Sequence, residues 1–483
     1  MKVYNSISKK SEEFKPVEDE LVLYVCGLTP YDKAHIGHAR TYVAFDILKR
    51  YLMKKGWKIT HIQNITDVDD KIIRRCMETG ADPKKLTEEN HREALELFDK
   101  LCILRADFYP KVTEHIPDII STIQKILKNG YAYETKTGVY FDVSKFKGYG
   151  KLSGQNMEEI EAGSRKEVDE TKNDPADFAL WKTAKGEIIE FDSPWGKGRP
   201  GWHIECSAMS IRYAKRTIDI HGGARDLIFP HHENEIAQSE AANGFQFVKY
   251  WMHTGFLTVN GEKMSKSLGN FITIADVLNK HEPNAVRMFF ALAHYRSPID
   301  YNEEQIEAAG ESAERLLNGL GLIRECISEK KVQKKNDGFR KNTDTLIEKM
   351  NSAMENDFDT PTAIANLFNL VRESNAHMNE KNKDYEQLGK IGAEIEKMLW
   401  ILGISERKAD ASRKIDALKQ ILSELGEGKT PETAEKMMER AIELRNDARK
   451  KKDFTKSDSI RKKLGEIGII LEDKEGKTSW KME

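Results

Sequence analysis

The sequence predicts an α/β fold with a doubly wound parallel sheet, and three stretches of the chain support this prediction. Leu21 to Val25 is an apolar run of strand length, and after a loop a helical period begins near Gly37. Trp57 to Ile65 alternates loosely, as a second strand does, and Thr217 to Ile220 is a further β run. Strands separated by helices are typical of a parallel sheet with helices on its faces.

Two histidines lie at the start of the first predicted helix. Backbone N–H groups and the helix dipole favour a phosphate at such a position. The imidazoles of His35 and His38 could also hydrogen-bond an oxyanion that gains charge in a transition state. The alternative interpretation is a buried strand–helix turn in which both histidines only cap the helix.

A second motif suited to phosphate lies far downstream, Lys-Met-Ser-Lys-Ser at residues 263–267. Gly261 and Gly269 flank it, so we expect a mobile loop, and Lys263 and Lys266 are compact cations that suit a polyphosphate. A short basic loop by itself is usually a solvated turn. In this order, however, His-Ile-Gly-His after the first strand and Lys-Met-Ser-Lys-Ser after a later one resemble the signatures of class I aminoacyl-tRNA synthetases.

Polar residues follow two other predicted strands, at the end where ligands bind in a doubly wound sheet. Thr66, Asp67 and Asp70 come after the second strand and are pocket candidates, although a polar helix cap explains them equally well. The triplet His221-Gly222-Gly223 is expected to break the third strand, so that its glycines let the backbone approach a bound nucleotide. Asp226 follows this triplet closely.

The composition excludes several classes of protein. The chain has 483 residues, 39% hydrophobic and 32% charged, and its formal net charge of −2 gives no global signal for nucleic-acid binding. No run of about 18 apolar residues predicts a membrane span, and the N-terminal stretch lacks the apolar core of a secretory signal. The five cysteines are scattered, which argues against a disulfide framework. We therefore expect a cytoplasmic protein of several domains with no membrane partner.

Four residues of the types that bind zinc are spread widely along the chain. They are Cys26, Cys206, His231 and Glu235. His231 and Glu235 are four residues apart, so they would share one face of a helix. Spacing alone does not bring the four together, because isolated cysteines are often buried as small hydrophobes and such a His–Glu pair often lies on the surface.

Longer stretches around these residues resemble the cysteinyl-tRNA synthetase family. They are YVCGLTPYDKAHIGHAR, GWHIECSAM, DIHGGARDLIFPHHENEIAQSE, EKMSKSLGN and, near the carboxyl end, ARKKKDFTKSDSIRKKLGEIGIILED. In that family two cysteines, a histidine and a glutamate hold a zinc ion, at the positions that match Cys26, Cys206, His231 and Glu235. The resemblance implies one Zn²⁺ per chain. Zinc prefers a thiolate to a hydroxyl, so it would separate cysteine from serine, which a plain pocket does by only about 10–200-fold.

The resemblance also implies a reaction in two steps. The carboxylate of L-cysteine would attack the α-phosphate of ATP, and the terminal ribose of tRNA(Cys) would then take the cysteinyl group. His35 and His38 would contact phosphate oxygens, and Lys266, together with Lys263, would hold the leaving pyrophosphate as the loop closes. Mg²⁺ would accompany ATP, held mainly by phosphates and water.

The remaining residues of the implied pocket are second-rank candidates. Asp226 would bind either a ribose hydroxyl or the substrate ammonium, and ordinary core packing is the alternative for Trp202. The residues expected to bind ATP are Thr29, His35, His38, Gly222, Asp226 and Lys266. The residues expected to bind the amino acid are Gly27, Thr66, Trp202 and His221.

The domain organisation that we expect has six regions. It consists of the first half of a Rossmann-type catalytic domain (1–115), a connective insertion (116–200), the second half of the catalytic domain (201–260), the KMSKS loop with a linking domain that contacts the tRNA stem (261–310), a helical bundle (311–405) and an anticodon-binding domain (406–483).

A basic stretch near the carboxyl end is the local signal for nucleic acid. Lys436 to Lys463 contains eleven Lys/Arg and five Asp/Glu, a net of +6, which fits phosphate contacts to tRNA, although a solvated charged face has the same composition. Trp480 could stack on a base or pack in the tail. Two rival functions remain: a cysteine ligase that acylates an amino sugar, as in mycothiol synthesis, and a non-catalytic tRNA-binding paralogue. We expect a monomer.

Overall fold

The computed structural model describes most of the chain, in two compact units, Met1–Ile404 and Ser405–Glu483. Lys266 lies outside the described residues. Among those that are described, no helix has both the length and the apolar character to cross a membrane. The described residues are 1–155, 171–184, 186–264, 269–328, 334–406, 418–419, 421–422, 425, 434–451, 453–466, 469–474 and 477–482.

The elements of these residues are numbered here in chain order. The strands are β1 (Lys2–Asn5), β2 (Lys10–Glu13), β3 (Glu20–Val25), β4 (Lys58–Ile62), β5 (Ala132–Glu134), β6 (Gly138–Phe141), β7 (Phe178–Thr183), β8 (Gly198–Pro200), β9 (Ile218–Ala224), β10 (Val248–Thr254), β11 (Leu257–Val259), β12 (Glu262–Lys263), β13 (Ile299–Tyr301), β14 (Ile469–Lys474) and β15 (Lys477–Met482). The helices are α1 (Ile36–Lys54), α2 (Asp70–Thr79), α3 (Pro83–Lys100), α4 (Ile116–Lys128), α5 (Trp202–Ala214), α6 (Glu233–Asn243), α7 (Ile274–Lys280), α8 (Pro283–Ala291), α9 (Glu303–Ser328), α10 (Asp337–Glu355), α11 (Thr360–Met378), α12 (Tyr385–Leu402), α13 (Ala434–Lys450) and α14 (Phe454–Glu466).

A four-stranded parallel sheet in the order β10-β9-β3-β4 forms the centre of the first unit. Five of the six residues of β3 are buried, which is why this strand is a continuous apolar run instead of an alternating one. In register, Leu23 of β3 lies between His61 of β4 and Ile220 of β9. The predicted parallel α/β sheet is therefore confirmed, and its carboxyl edge gathers the residues that follow each strand.

The third strand differs from its prediction. Gly222 and Gly223 do not break β9, which continues to Ala224 and pairs there with β10. A Cβ on Gly222 would lie 2.1 Å from the ring of Phe45 on α1, and one on Gly223 would lie 2.9 Å from Cε1 of His232. These glycines therefore make room for neighbouring side chains inside the protein, and the predicted break of the strand is wrong. The contact of Gly222 with a nucleotide stays a prediction.

A separate antiparallel sheet, β5-β6-β7-β8, lies between the strands β4 and β9 of the parallel sheet in sequence. It opens with the predicted hairpin, in which Ala132 of β5 pairs with Phe141 of β6. Its apolar face packs with α4 and α5 around the fully buried Trp181.

Helix α1 is tied to the rest of the first unit by buried arginines. Arg40 donates to the backbone carbonyl of Phe290 in the last turn of α8 and to those of His294, Tyr295 and Ser297 after it. Arg287 of α8 donates to Asp46 of α1, to Leu101 O and to Leu402 O at the end of α12. Because α9–α12 pack together in the same core, α1 has a fixed position relative to this bundle.

The second unit is small. Helices α13 and α14 pack with the antiparallel hairpin β14–β15 around buried residues such as Met438, Ile460 and Leu471. The basic stretch Lys436 to Lys463 lies on these two helices and on the short connection between them, in which residue 452 is not described.

Candidate active site and metal centre

The two histidines of the first motif meet at the amino end of α1. His35 precedes the helix in extended conformation, and its backbone N–H donates to Nδ1 of His38 over 3.2 Å. The two rings stack with centroids 3.6 Å apart. Burial, with His35 and Lys71 nearby, lowers the pKa of His38 well below its ordinary value, so this imidazole is neutral at pH 7. The capping contact is thus real, and it leaves Nε2–H of His38 as a donor at a helix N-terminus.

The structure brings the second motif beside the first. The chain after residue 269 runs along the start of α1, where Ile36 N donates to Ile272 O over 3.0 Å and Ile274 N donates to Ala34 O over 2.9 Å. A Cβ on Gly37 would lie 3.7 Å from Cε of Met264, the second residue of the KMSKS motif. Lys263 lies exposed in β12, and the position of Lys266 falls outside the described residues.

The ends of β3 and β4 are held together where the predicted pocket begins. Gly27 N donates to Oδ1 of Asn64 over 2.8 Å, and a Cβ on Gly27 would lie 1.6 Å from the carbonyl oxygen of Asn64, so only glycine fits. Thr66 is buried beside them, and its backbone N–H donates a hydrogen bond to Leu28 O. Thr29 is half-buried in the loop between β3 and α1.

Two of the carboxylates near Thr66 have structural partners. Asp67 accepts hydrogen bonds from the backbone N–H and hydroxyl of Thr113, and Asp70 pairs with Lys182 and Arg199. The helix cap is Asp69, which accepts from Lys71 N. Asp67 and Asp70 thus have structural partners, but neither caps the helix, and their place in a ligand pocket stays a prediction.

The four residues of zinc-ligand type do converge. One potential ligand atom from each of Cys26, Cys206, His231 and Glu235 lies within 4.8 Å of the others, and all four side chains are buried. Each comes from a different part of the sheet edge: the end of β3, the first turns of α5, the turn before α6 and the start of α6. Nε2 of His231 lies 3.0 Å from Oε1 of Glu235. The predicted set of ligands is thus a buried cluster that fits a metal site.

The charges inside this cluster shift the pKa values of its members. A hydrogen bond with Cys26 lowers the pKa of Cys206 to about 6, against the effect of burial. Burial raises the pKa of Glu235, but the neighbouring His221 and His231 outweigh it and lower that pKa to about 2. Burial alone would lower the pKa of His231, and Glu235 with Cys206 raises it to about 10. Two thiols, an imidazole and a carboxylate held this way are the donor set that a Zn²⁺ ion stabilises in deprotonated form.

Further histidines surround the cluster, and three of them, His203, His232 and His253, were not selected from the sequence pattern. Nδ1 of His203 lies 2.9 Å from Nδ1 of His231, and Nε2 of His232 lies 3.3 Å from Sγ of Cys26. His253, at the end of β10, lies 2.8 Å from His232. Cys26, His221, His232 and Glu235 form a second overlapping group of ligand type. Two signals in the sequence could have found two of these three histidines: His232 is adjacent to His231, and His253 lies near the end of a strand of the same sheet.

The second-rank residues have different surroundings. Trp202 is 39% exposed and stacks on the ring of His231 with centroids 4.3 Å apart, so the core-packing alternative is wrong. His221 is fully buried, and its Nε2 lies 2.9 Å from Oε2 of Glu235, so it contacts the cluster through that carboxylate. Asp226 is exposed in a short turn after β9.

Comparisons with known proteins decide the family. A family model described as the catalytic domain of class I (C) tRNA synthetases matches residues 13–311, and a DALR domain matches residues 349–406. The cysteine–tRNA ligases of Thermococcus gammatolerans and Pyrococcus abyssi are 46% and 47% identical to the chain over 487 residues. These alignments cover 100% of this chain and 99% and 98% of the relatives. The chain belongs to the cysteine–tRNA ligase family.

Solved structures of other synthetases share the fold. Mycobacterium tuberculosis methionyl-tRNA synthetase in complex with methionyl-adenylate aligns with a TM-score of 0.60 at 14% identity, over 83% of this chain and 94% of that one. A putative arginyl-tRNA synthetase from Campylobacter jejuni gives 0.56 at 12% identity, over 82% and 95%. At such identities these structures support the class I fold alone. As a cysteine–tRNA ligase, the chain is an ATP-dependent ligase whose substrates are ATP, an amino acid and tRNA.

Proposed function

We propose that this cysteine–tRNA ligase activates L-cysteine with ATP and transfers it to the 3′-terminal ribose of tRNA(Cys), with a Zn²⁺ ion in the buried cluster to select the substrate. The observation that carries this proposal is the convergence of Cys26, Cys206, His231 and Glu235 at the same sheet edge as His35 and His38. When bound there, zinc supplies a ligand position that prefers a thiolate to a hydroxyl.

The residues of this chain supply the positioning in the activation step. The amino end of α1 and the Nε2–H of His38 face the phosphates, where donors stabilise the charge that develops on the α-phosphate. Lys263 and Lys266 of the adjacent loop hold the leaving pyrophosphate, and Mg²⁺ enters with ATP. Trp202 stacks on the buried His231 and is itself partly exposed, so it is proposed to lie between the cluster and the solvent.

Helices α13 and α14 are proposed to bind the anticodon region of tRNA. Their net charge of +6 between Lys436 and Lys463 supports phosphate contacts. The six domain ranges, the monomeric state and the cytoplasmic location stay predictions. The match to cysteine–tRNA ligases over the whole chain, including the carboxyl end, argues against the amino-sugar ligase, because that type lacks the long tRNA-binding end.

The test is the transfer of radiolabelled cysteine to total tRNA in the presence of ATP and Mg²⁺, with serine as the control. Charging with cysteine and not with serine is the expected result. Cysteine-dependent pyrophosphate exchange without charging would keep the activating core and overturn the proposed acceptor. No activation of cysteine in a zinc-loaded sample would overturn the proposal as a whole.

A further inference from the structure

Cys26 is the first member of a continuous series of hydrogen bonds that ends at the amino-terminal hairpin and is buried except at its last, partly buried link. Nε2 of His232 lies 3.3 Å from Sγ of Cys26. Nδ1 of His232 lies 2.8 Å from Nε2 of His253, and Nδ1 of His253 lies 2.8 Å from Oγ of Ser6. Both nitrogens of each imidazole therefore have a partner.

The protonation state of the Cys26 sulfur determines which atom donates in each hydrogen bond of the series. A cysteine that binds a metal is a thiolate and accepts hydrogen bonds, so Nε2 of His232 must carry a proton and donate to Cys26. A neutral imidazole then has an acceptor at Nδ1, which takes the Nε2–H of His253. The same rule makes Nδ1 of His253 an acceptor for the hydroxyl of Ser6. One arrangement of protons thus satisfies the Cys26 sulfur and every link beyond it.

The far end of this chain is fixed in place. Ser6 lies in the turn between β1 and β2, and its backbone N–H donates to Trp251 O over 2.9 Å. The preceding Asn5 accepts from Trp251 N over 3.0 Å through its side chain. These bonds hold the hairpin against β10, two residues before His253. The hydroxyl of Ser6 is therefore held where it can orient the ring of His253.

We propose that Ser6, His253 and His232 act as a relay of positioning residues that orients the Cys26 sulfur as a metal ligand. The proposal rests on the metal site proposed above and adds three residues to it. A donor aimed at a ligand sulfur fixes its orientation, and outer partners of this kind commonly change metal affinity by about 10–100-fold. The relay also makes the amino-terminal hairpin of β1 and β2 a part of the metal site.

The test measures Zn²⁺ affinity by competition with a chromophoric chelator, and the thiolate-to-metal absorption of the Co²⁺-substituted protein. His253→Phe keeps an aromatic ring beside Trp251 and removes both nitrogens, and we expect it to weaken Zn²⁺ binding about tenfold and to shift the Co²⁺ absorption. Ser6→Ala should change both readouts in the same direction by less, and Ser6→Thr, which keeps a hydroxyl, should restore them. Ser8→Ala is the matched control, because that hydroxyl bonds only locally to Asn5 O.

The outcomes separate the relay from the metal site. If the unmodified protein binds Zn²⁺ and shows thiolate absorption with Co²⁺, but His253→Phe and Ser6→Ala leave both unchanged, the relay is wrong and the site stands. An equal effect of Ser8→Ala and Ser6→Ala would also overturn the relay, since it would reflect the hairpin alone. If the unmodified protein with Co²⁺ shows no thiolate-to-metal absorption, both the proposed metal site and the relay are overturned.

Discussion

Nε2 of His231 lies 3.0 Å from Oε1 of Glu235, although His231 precedes the helix that carries Glu235. The turn of residues 228–232 leads directly into α6, so the four-residue spacing still places both side chains on one side. The face that they share points at Cys26 and Cys206, not at solvent. A pair that resembles a surface ion pair in sequence is therefore half of a buried group of metal-ligand type.

Cys206→Ser replaces a thiolate ligand by a hydroxyl of almost the same size. We expect the zinc content to fall from one ion per chain towards none, and cysteine activation to fall with it, because a neutral hydroxyl is a poor zinc ligand. Metal analysis and pyrophosphate exchange measure the two effects. Cys326→Ser is the matched control, since Cys326 is buried in the helical bundle and not in the cluster. Full zinc content in Cys206→Ser would remove this residue from the ligand set.

Lys266→Ala should slow the formation of cysteinyl-adenylate about a hundredfold and leave the affinity for cysteine almost unchanged, because the ammonium stabilises the leaving pyrophosphate and does not touch the amino acid. Single-turnover kinetics and cysteine titration separate these quantities. Lys280→Ala provides the control, as Lys280 pairs with Glu303 on α9. An unchanged rate would exclude Lys266 from catalysis.

Arg287→Met should lower the free energy of unfolding of the first unit by about 3 kcal/mol. The substitution removes a buried charge that pairs with Asp46 at 2.6 Å, and it leaves Leu101 O and Leu402 O without their donor. Urea unfolding followed by circular dichroism measures the loss. Lys280→Met, which breaks an exposed ion pair, should cost less than about 1 kcal/mol. Equal losses in the two variants would contradict the assigned role of Arg287.

His61 should make the protein less stable as the pH falls. Burial, with Lys49 nearby, lowers the pKa of His61 to about 3, below the value near 6.5 that it has in an unfolded chain. Between these values the unfolded chain binds the extra proton, so the contribution is complete above pH 6.5 and declines below it by about 1.4 kcal/mol per pH unit. His61→Phe should remove this part of the slope between pH 6.5 and pH 4. Parallel pH profiles of the two proteins would contradict the assignment.

The sequence predicted those parts of the fold that depend on local pattern. The apolar run at Leu21 to Val25, the helix with His35 at its start and the hairpin of β5 and β6 each have a periodicity or a turn signal within one short segment. β9 was misjudged because glycine is a common strand breaker, and the need for glycine at residue 222 comes from Phe45, which is far away in sequence.

The candidate site, too, has residues that could be predicted from the sequence and residues that could not. Cys26, Cys206, His231 and Glu235 were selected by residue type and by the resemblance, and the geometry brings them together. The roles of Ser6, His203 and His253 depend on which ring nitrogen faces which neighbour, and this follows only from the packing of separate strands and turns. Pattern along one chain carries no information of that kind.

X-ray absorption at the zinc edge, recorded with and without L-cysteine, tests the central claim most directly. The account predicts two sulfur neighbours at about 2.3 Å in the zinc-loaded protein and a third when cysteine is added, with no change on addition of serine. A sulfur count that stays the same with saturating cysteine would contradict recognition of the substrate by the metal.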